Sequence, residues 1–441
     1  MSFAALGLSA PLVRAVADQN YLQPTPIQTQ AIPVILRGTD VLASAQTGSG
    51  KTATFLLPLL QQLSQVHLEK PRPLRALILA PTRELAIQIG EAARAYALHL
   101  PQPLKIVSVF GGVSVNPQMM ALRGGADMVV ATPGRLLDLI DHNALHLAQV
   151  TTLVLDEADR LFDLGFTAEL TRILALLPAR RQNLLFSATL PDAVVALANI
   201  LLHEPLRIAI NNAVESVPTV VQRAIVVDNS QRTQLLRHLI QQQQWSRLLV
   251  FVSTKYATEH VAEKLRRAGI NASALHGELT QGARTQALVD FKASKLQVLV
   301  ATDIAARGID IVQMPVVVNY DLPRSADDYI HRIGRTARAG DTGLAISLVT
   351  INTEMHFRLI EKRHGLRLSR EQIAGFEVID FDEKINASIA AAADGGGIKG
   401  KRKSKKDKLR EVASRSESEL LLPKPADKPG FIWPRITTRD S

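Results

Sequence analysis

Three clusters of residues in this chain have the types and spacing for phosphate chemistry. The first is Ala45-Gln46-Thr47-Gly48-Ser49-Gly50-Lys51-Thr52, set between the apolar run Asp40 to Ala43 and the apolar segment Ala53 to Leu60. Strand, glycine-rich turn and helix in that order make a cradle of inward-pointing backbone N–H groups, with the positive end of the helix behind it. Lys51 would reach the outer phosphates of a bound nucleotide, and the Thr52 hydroxyl would help to hold Mg2+. The bland alternative, a glycine turn that merely caps a helix, leaves a buried Lys51 unexplained. The second cluster is Asp156-Glu157, at the end of the apolar run beginning at Thr152. Asp156 would coordinate Mg2+ and Glu157 would orient and deprotonate a water; the alternative is a pair of solvated loop acids. The third is His331-Arg332-Ile333-Gly334-Arg335-Thr336-Ala337-Arg338. Arginines three apart share a helical face, so Arg335 and Arg338 could reach a γ-phosphate together, unless the stretch is only a basic surface helix.

These clusters need a frame that brings distant stretches together, and the hydrophobic pattern supplies one. Short β-rich runs alternate with helical stretches at Leu74–Ala80, Leu104–Phe110, Asp127–Ala131, Thr152–Asp156 and Asn183–Ser187. Each is apolar on both faces, as in a parallel sheet covered by helices. Each is followed by polar, turn-like residues: Pro81-Thr82-Arg83-Glu84, Gly111-Gly112, Thr132-Pro133-Gly134-Arg135, Asp156 to Asp159, and Ser187-Ala188-Thr189. In doubly wound sheets ligands bind at the carboxyl ends of strands, where all these groups fall. The pattern loosens from about Glu204, which predicts an interdomain linker over 209–220. A second alternating set follows at Val221–Val227, Leu248–Ser253, Asn271–Leu275, Gln297–Ala301, Val316–Asn319 and Leu344–Val349. It lacks a glycine-rich cradle and carries Arg307, Arg332, Arg335 and Arg338 near strand ends. The expected fold is α/β, with two doubly wound parallel-sheet domains in tandem over 1–208 and 221–376.

Composition narrows the partners. The 441 residues hold no cysteine and carry a formal net charge of +10. Disulfides and thiolate metal sites are excluded, and a polyanionic partner is implied, nucleic acid before membrane. There is no apolar run of 18 residues to cross a membrane. Aromatics are only 4%, so base-stacking platforms should be few and contacts mostly to the backbone. The region 377–441 reads as a disordered basic tail: from residue 391 onward there are 13 Lys/Arg against 7 Asp/Glu. Trp433 lies in this tail, either within disordered chain or within a partner-binding peptide.

Taken in order, Pro24-Thr25-Pro26 with Gln28, AQTGSGKT, PTREL, TPGR, the literal Asp156-Glu157-Ala158-Asp159, Ser187-Ala188-Thr189, ATDIAARGID and HRIGRTAR resemble the DEAD-box RNA helicases of superfamily 2. The resemblance covers about residues 1–376, and the opening residues through Gln28 look like the bacterial RhlE-type group. It implies two RecA-like domains that close on ATP and single-stranded RNA. It implies that Gln28 reads the adenine edge, that Tyr21 stacks on the ring, with Phe3 in the same signature, and that Asp310 touches the ribose. It implies coupling of hydrolysis to RNA through Ser187 and Thr189 with the Asp159 segment and His331. RNA backbone contacts would come from Pro81, Thr82, Arg83, Gly112, Thr132 and Arg135, and in the second domain from Arg284 and Thr302. Asn20 departs from the glycine usual before the aromatic, and Ala337 from a glycine in the arginine motif.

The expected function is an ATP-dependent RNA helicase that opens short duplexes locally or remodels RNA–protein complexes, acting with ATP and Mg2+. An ATP-gated RNA clamp uses the same motifs, a DNA translocase differs in reading no 2′-OH, and a small-molecule kinase leaves the second sheet without a role. The further expectations are a monomer in the cytoplasm, with ribosome-assembly or RNA-decay partners.

Overall fold

The structure is a computed structural model that describes residues 2–45, 48–66, 69–210, 220–306, 314–336, 343–379 and 381. Two sheets of seven parallel strands account for the frame. The first contains β1 (Val41–Ser44), β2 (Ala76–Leu79), β3 (Ile106–Val109), β4 (Met128–Ala131), β5 (Thr152–Leu155), β6 (Gln182–Ser187) and β7 (Leu206–Ala209), in the order β3-β4-β2-β5-β6-β1-β7. The second contains β8 (Val220–Val226), β9 (Leu248–Val252), β10 (Ala272–Leu275), β11 (Val298–Thr302), β12 (Val316–Asn319), β13 (Gly343–Val349) and β14 (Arg370–Glu371), in the order β10-β11-β9-β12-β13-β8-β14. These are the two RecA-like α/β domains that the alternation predicts.

The central strands are short and buried on both faces, which is why they read as unbroken apolar runs. Residues that alternate along a strand feed opposite faces. Ala76 and Ile78 pack with Ile89, Ala93 and Phe55 on one side of the first sheet. Leu77 and Leu79 pack with Leu136, Leu161 and Ile173 on the other. The helix Arg83–Ala97 shows the matching pattern, burying Leu85, Ala86, Ile89, Ala93 and Tyr96 along one stripe.

Two strands escape the sequence pattern. Leu206–Ala209 falls in the stretch read as loosening toward a linker, yet it pairs in register with Val41–Ser44 at the sheet edge. Only Ile208 of the four is buried, so no two-faced apolar run marks it. Arg370–Glu371 is an edge strand of two polar residues on β8. Arg370 is held there by ion pairs to the buried Glu354 at 2.8 Å and to Glu361 at 2.7 Å. Most of the expected linker, and the basic tail beyond residue 381, lie outside the described residues.

Candidate nucleotide and RNA sites

Strand order sorts the motifs. In the first sheet the loops after β3, β4 and β2 are neighbours and carry Gly112, Thr132, Arg135 and Pro81 to Arg83. The loops after β5, β6 and β1 are neighbours at the other end and carry Asp156, Ser187 and the glycine-rich turn. Residues far apart in sequence thus form two adjoining rows on one sheet edge.

The glycine-rich turn is shaped for a phosphate. Gly48 and Gly50 have φ of 84° and 92°, conformations that side chains with a Cβ rarely adopt. A Cβ on Gly50 would lie 2.6 Å from Gln28 Nε2. Lys51 is buried and its Nζ donates to the Ala45 carbonyl at 2.6 Å. Ser49 Oγ is buried without a hydrogen-bond partner, an orphan suited to a polar ligand. Gln46 and Thr47 lie outside the described residues.

Gln28 sits behind this turn, 3% exposed. Its Oε1 accepts from Thr25 N at 2.9 Å, and its Nε2 donates to Gly50 O at 3.3 Å. A primary amide has two donors and two lone pairs, so one donor and one acceptor remain, the pair that an adenine edge requires. Tyr21 is 44% exposed and so presents its ring. Asn20 has φ +58°, which explains why a residue tolerant of the left-handed region stands where glycine is usual. Phe3 is only 4% exposed and packs in the apolar cluster with Leu6, Leu12 and Ile27. Its placement buttresses the N-terminal segment and offers no surface to a ligand. Asp310 lies outside the described residues.

Asp156 and Glu157 leave β5 into the cleft. Asp156 is 3% exposed, and burial pushes its pKa up to about 7, with Lys51 pulling it down and Glu157 pushing it further up. A buried carboxylate so short of positive charge fits a divalent cation, with Thr52 at the start of the helix behind the turn as its companion. Glu157 has φ +49° and ψ +54°, and its N–H donates to Asp156 Oδ1 at 3.0 Å. A left-handed glutamate is strained, and Glu157 lines the same cleft as Arg335 and His331.

Asp159 joins this row to β6. Its Oδ2 accepts from Thr189 N at 3.0 Å and from Thr189 Oγ1 at 2.8 Å. Ser187 Oγ accepts from Asp159 N at 3.2 Å and donates to Thr189 O at 2.6 Å. Burial works against the Asp159 charge, but the Thr189 donors hold its carboxyl below the usual carboxylate range.

The cleft is bridged by a residue that no sequence motif singles out. Arg160, next after the four-residue signature, donates to His331 Nδ1 at 2.6 Å and pairs with Asp328 at 3.4 Å in the second domain. The only available signal is a cation directly following Asp159 at the end of the signature. His331 accepts as neutral imidazole: burial first, then the Arg160 charge, push its pKa down to about 4.

The arginine motif differs from expectation. The helix Ala326–Ile333 ends at Gly334, so Arg332 and Arg335 do not share a helical face. Thr336 instead forms a bridge to Met314, and Met314 N donates to Arg335 O at 3.0 Å. Arg332 is not a phosphate donor. It is 2% exposed, gripped by Asp303 at 2.6 and 2.7 Å and by Asn319 Oδ1 at 3.1 Å, and it lies over the Phe251 ring. Arg335 remains on the cleft with Glu157. Arg307 and Arg338 lie outside the described residues.

The other row is also bridged across the cleft. Arg83 lies against Gly112, where a Cβ would come 2.2 Å from the guanidinium, and it donates to Gln281 Oε1 of the second domain at 3.4 Å. Arg284 pairs with Glu84 at 2.8 Å, with both side chains less than a tenth exposed. It therefore holds the first domain in this arrangement, where the sequence analysis expected it on the RNA backbone. Thr82 and Thr302 accept from the N–H three residues on, Leu85 at 3.3 Å and Ala305 at 3.4 Å. Each opens a helix at a strand's carboxyl end, a setting that favours phosphate oxygens. Thr132 Oγ1 accepts from Gly111 N at 3.3 Å, and Arg135 donates to Val113 O at 2.7 Å, so the glycine loop is pinned to its neighbour.

Comparison with known proteins agrees with this geometry. The DEAD/DEAH box helicase family matches residues 25–197, and the helicase conserved C-terminal domain matches residues 231–340. The chain is 42% identical over 387 residues to the ATP-dependent rRNA helicase RRP3 of Gibberella zeae, covering 87% of this chain and 78% of that one. It is 41% identical over 378 residues to the ATP-dependent RNA helicase DeaD of Escherichia coli, covering 86% of this chain and 59% of DeaD. Among solved structures, Dbp5 of S. cerevisiae bound to RNA and ADP BeF3 superposes with a TM-score of 0.75 at 31% identity, over 88% of this chain and 99% of that one. With both family domains in tandem and the nucleotide cradle, DEAD segment and cross-cleft contacts in place, this chain belongs to the DEAD-box family of ATP-dependent RNA helicases.

Proposed function

We propose that this helicase opens short RNA duplexes locally, by closing its two domains on ATP and RNA together. The observation that carries this reading is the bridge from Arg160 to His331 and Asp328, which ties the DEAD segment to the arginine motif. Through Asp159, Ser187 and Thr189 the same segment is tied to β6. The other row is tied across the same cleft by Arg83 to Gln281 and Arg284 to Glu84, so closure sets the hydrolytic row and the RNA row at once.

The residue roles in this reading are these. Gln28 and Tyr21 hold the adenine, and the turn over 45–52 with Lys51 holds the phosphates. Thr52 and Asp156 would hold Mg2+, which when bound neutralises charge on the phosphate oxygens. Glu157 takes the proton of the attacking water. Arg335, together with Arg338, stabilises charge on the departing phosphoryl group. Pro81 to Arg83, Gly112, Thr132, Arg135 and Thr302 line the backbone of one RNA strand, while Arg284 holds the domains that grip it.

Against the sequence expectation of 1–208, 221–376 and a tail from 377, we further assign residues 1–210 and 220–381 as the two domains, 211–219 as the linker and the residues beyond 381 as a basic tail, because Ala209 ends β7, Val220 opens β8, and Val378 and Phe381 pack on Val226. The opening residues through Gln28 support an RhlE-type assignment. A monomer acting in the cytoplasm on ribosome assembly or RNA decay suits a cysteine-free, basic chain. ATPase rates without nucleic acid, with RNA and with DNA, read beside strand displacement on a short duplex, test the reading. RNA-stimulated turnover with displacement is expected. Stimulation without displacement would make it a clamp, and equal stimulation by DNA a translocase.

A further inference from the structure

Among the described Phe, Tyr and Trp residues, only Tyr21 and Tyr256 are exposed. Tyr21 belongs beside the nucleotide, which leaves Tyr256, 73% exposed, as a ring in water with no role. It is not loose. Its ring stacks on that of His260, one helical turn on, with centroids 5.7 Å apart and planes 15° from parallel. The pair is therefore held ready on the surface at little further entropic cost.

Its place in the fold is specific. Tyr256 is the second residue of the helix Lys255–Arg267, which starts where β9 leaves the carboxyl edge of the second sheet. β9 lies beside β11, the strand that ends in Thr302, and β11 lies beside β10. The first turns of this helix are clamped to the loop after β10, by Lys255 on Glu278 and by Glu259 on His276 at 2.9 Å. The stacked rings thus stand in the row of loops along which the RNA backbone is read.

We propose that Tyr256, backed by His260, is a stacking platform for one unpaired base of the bound RNA. The proposal rests on the RNA path given above. A protein partner is disfavoured by the surroundings: Ser253, Thr254, Lys255, Glu259 and His260 are all exposed and polar, so these described neighbours of the ring give a protein no apolar patch to cover. A lone π-face among polar groups suits a nucleobase, which has a flat face and polar edges, and stacking of this kind tolerates any base.

The test separates stacking from charge. Tyr256→Ala, Tyr256→Phe and Arg83→Ala are compared with the parent protein for single-stranded RNA affinity across a salt series, with a non-hydrolysable ATP analogue present. Loss of one stacked base should weaken binding roughly 5- to 150-fold. Because no phosphate contact is lost, the log–log salt slope should stay parallel to the parent's. Tyr256→Phe, which keeps the ring, should bind as the parent does. In a scan of single abasic sites along the strand, one position should remove the difference between Tyr256→Ala and the parent. Parent-like affinity of Tyr256→Ala, a flattened slope, or equal loss in Tyr256→Phe would overturn the platform. If Arg83→Ala weakens binding while Tyr256→Ala does not, the RNA path stands and only the platform fails. If neither changes affinity, the path itself is wrong.

Discussion

Closure of the cleft should depend on pH through His331. In the closed arrangement burial and the Arg160 guanidinium hold its pKa at about 4, whereas a solvated imidazole in an open cleft titrates near 6.5. The sign follows from the lowered value: neutral His331 accepts the Arg160 hydrogen bond, so this contribution is fully present above pH 6.5. It is lost as pH falls from 6.5 toward 4, because the open form then binds a proton that the closed form refuses. At pH about 5.5 the difference in proton binding costs the closed state about 1.4 kcal/mol, or roughly tenfold in the closing equilibrium. The chain has no cysteine, so one introduced on an outer helix of each domain gives clean dye attachment for energy transfer. The fraction closed is measured against RNA concentration at pH 8 and 5.5, with an ATP analogue present. The buried Asp156, raised to about 7, titrates over part of the same range, so the comparison is made with His331→Asn. Asparagine places an acceptor near Nδ1 but cannot titrate, and it retains Asp156. The wild type should lose about ten times more closure than His331→Asn over this interval. Equal pH dependence in the two proteins would refute the role assigned to His331.

Glu157→Gln should bind ATP and RNA, hydrolyse very slowly and stay closed on RNA; a wild-type rate in a single-turnover ATPase assay would remove Glu157 as the base. Glu84→Ala strips Arg284 of its partner inside the closed interface, which should cost about 3 kcal/mol of closure, on the order of a hundredfold. The thermal unfolding of each domain should be little changed, since opening returns Arg284 to water, so a matching fall in unfolding temperature would mean that the pair is merely structural. Deleting residues 391–441 should weaken RNA binding at low salt and reduce the log–log salt slope by roughly three if the segment engages four or five phosphates. Superimposable salt series for full-length and truncated protein would leave the tail without a part in binding.

Much of this molecule is legible in its letters because the determinants are local. A parallel strand buried on both faces must be a short apolar run, as at Leu77 to Ala80. A phosphate turn must place glycine where φ is positive, as at Gly48 and Gly50. A strand end must release polar residues, as at Asp156 and Ser187. Elements held by pairing rather than by burial carry no such pattern, and the edge strands Leu206–Ala209 and Arg370–Glu371 are of this kind.

What only the tertiary structure decided is which of several cations does which job. Arg332 and Arg335 look alike in sequence, basic residues near strand ends, and Arg284 is one more cation that the resemblance assigns to RNA. All three are buried, and their surroundings separate them: Arg332 is drawn onto Asp303 and the Phe251 ring, Arg284 is paired across the cleft with Glu84, and Arg335 lines the cleft with Glu157. Arg160 gained its role the same way, from a histidine 171 positions away in sequence. Spacing along the chain fixes what a residue can reach within its own element. Partners across a cleft depend on strand order and domain placement, which no local pattern encodes.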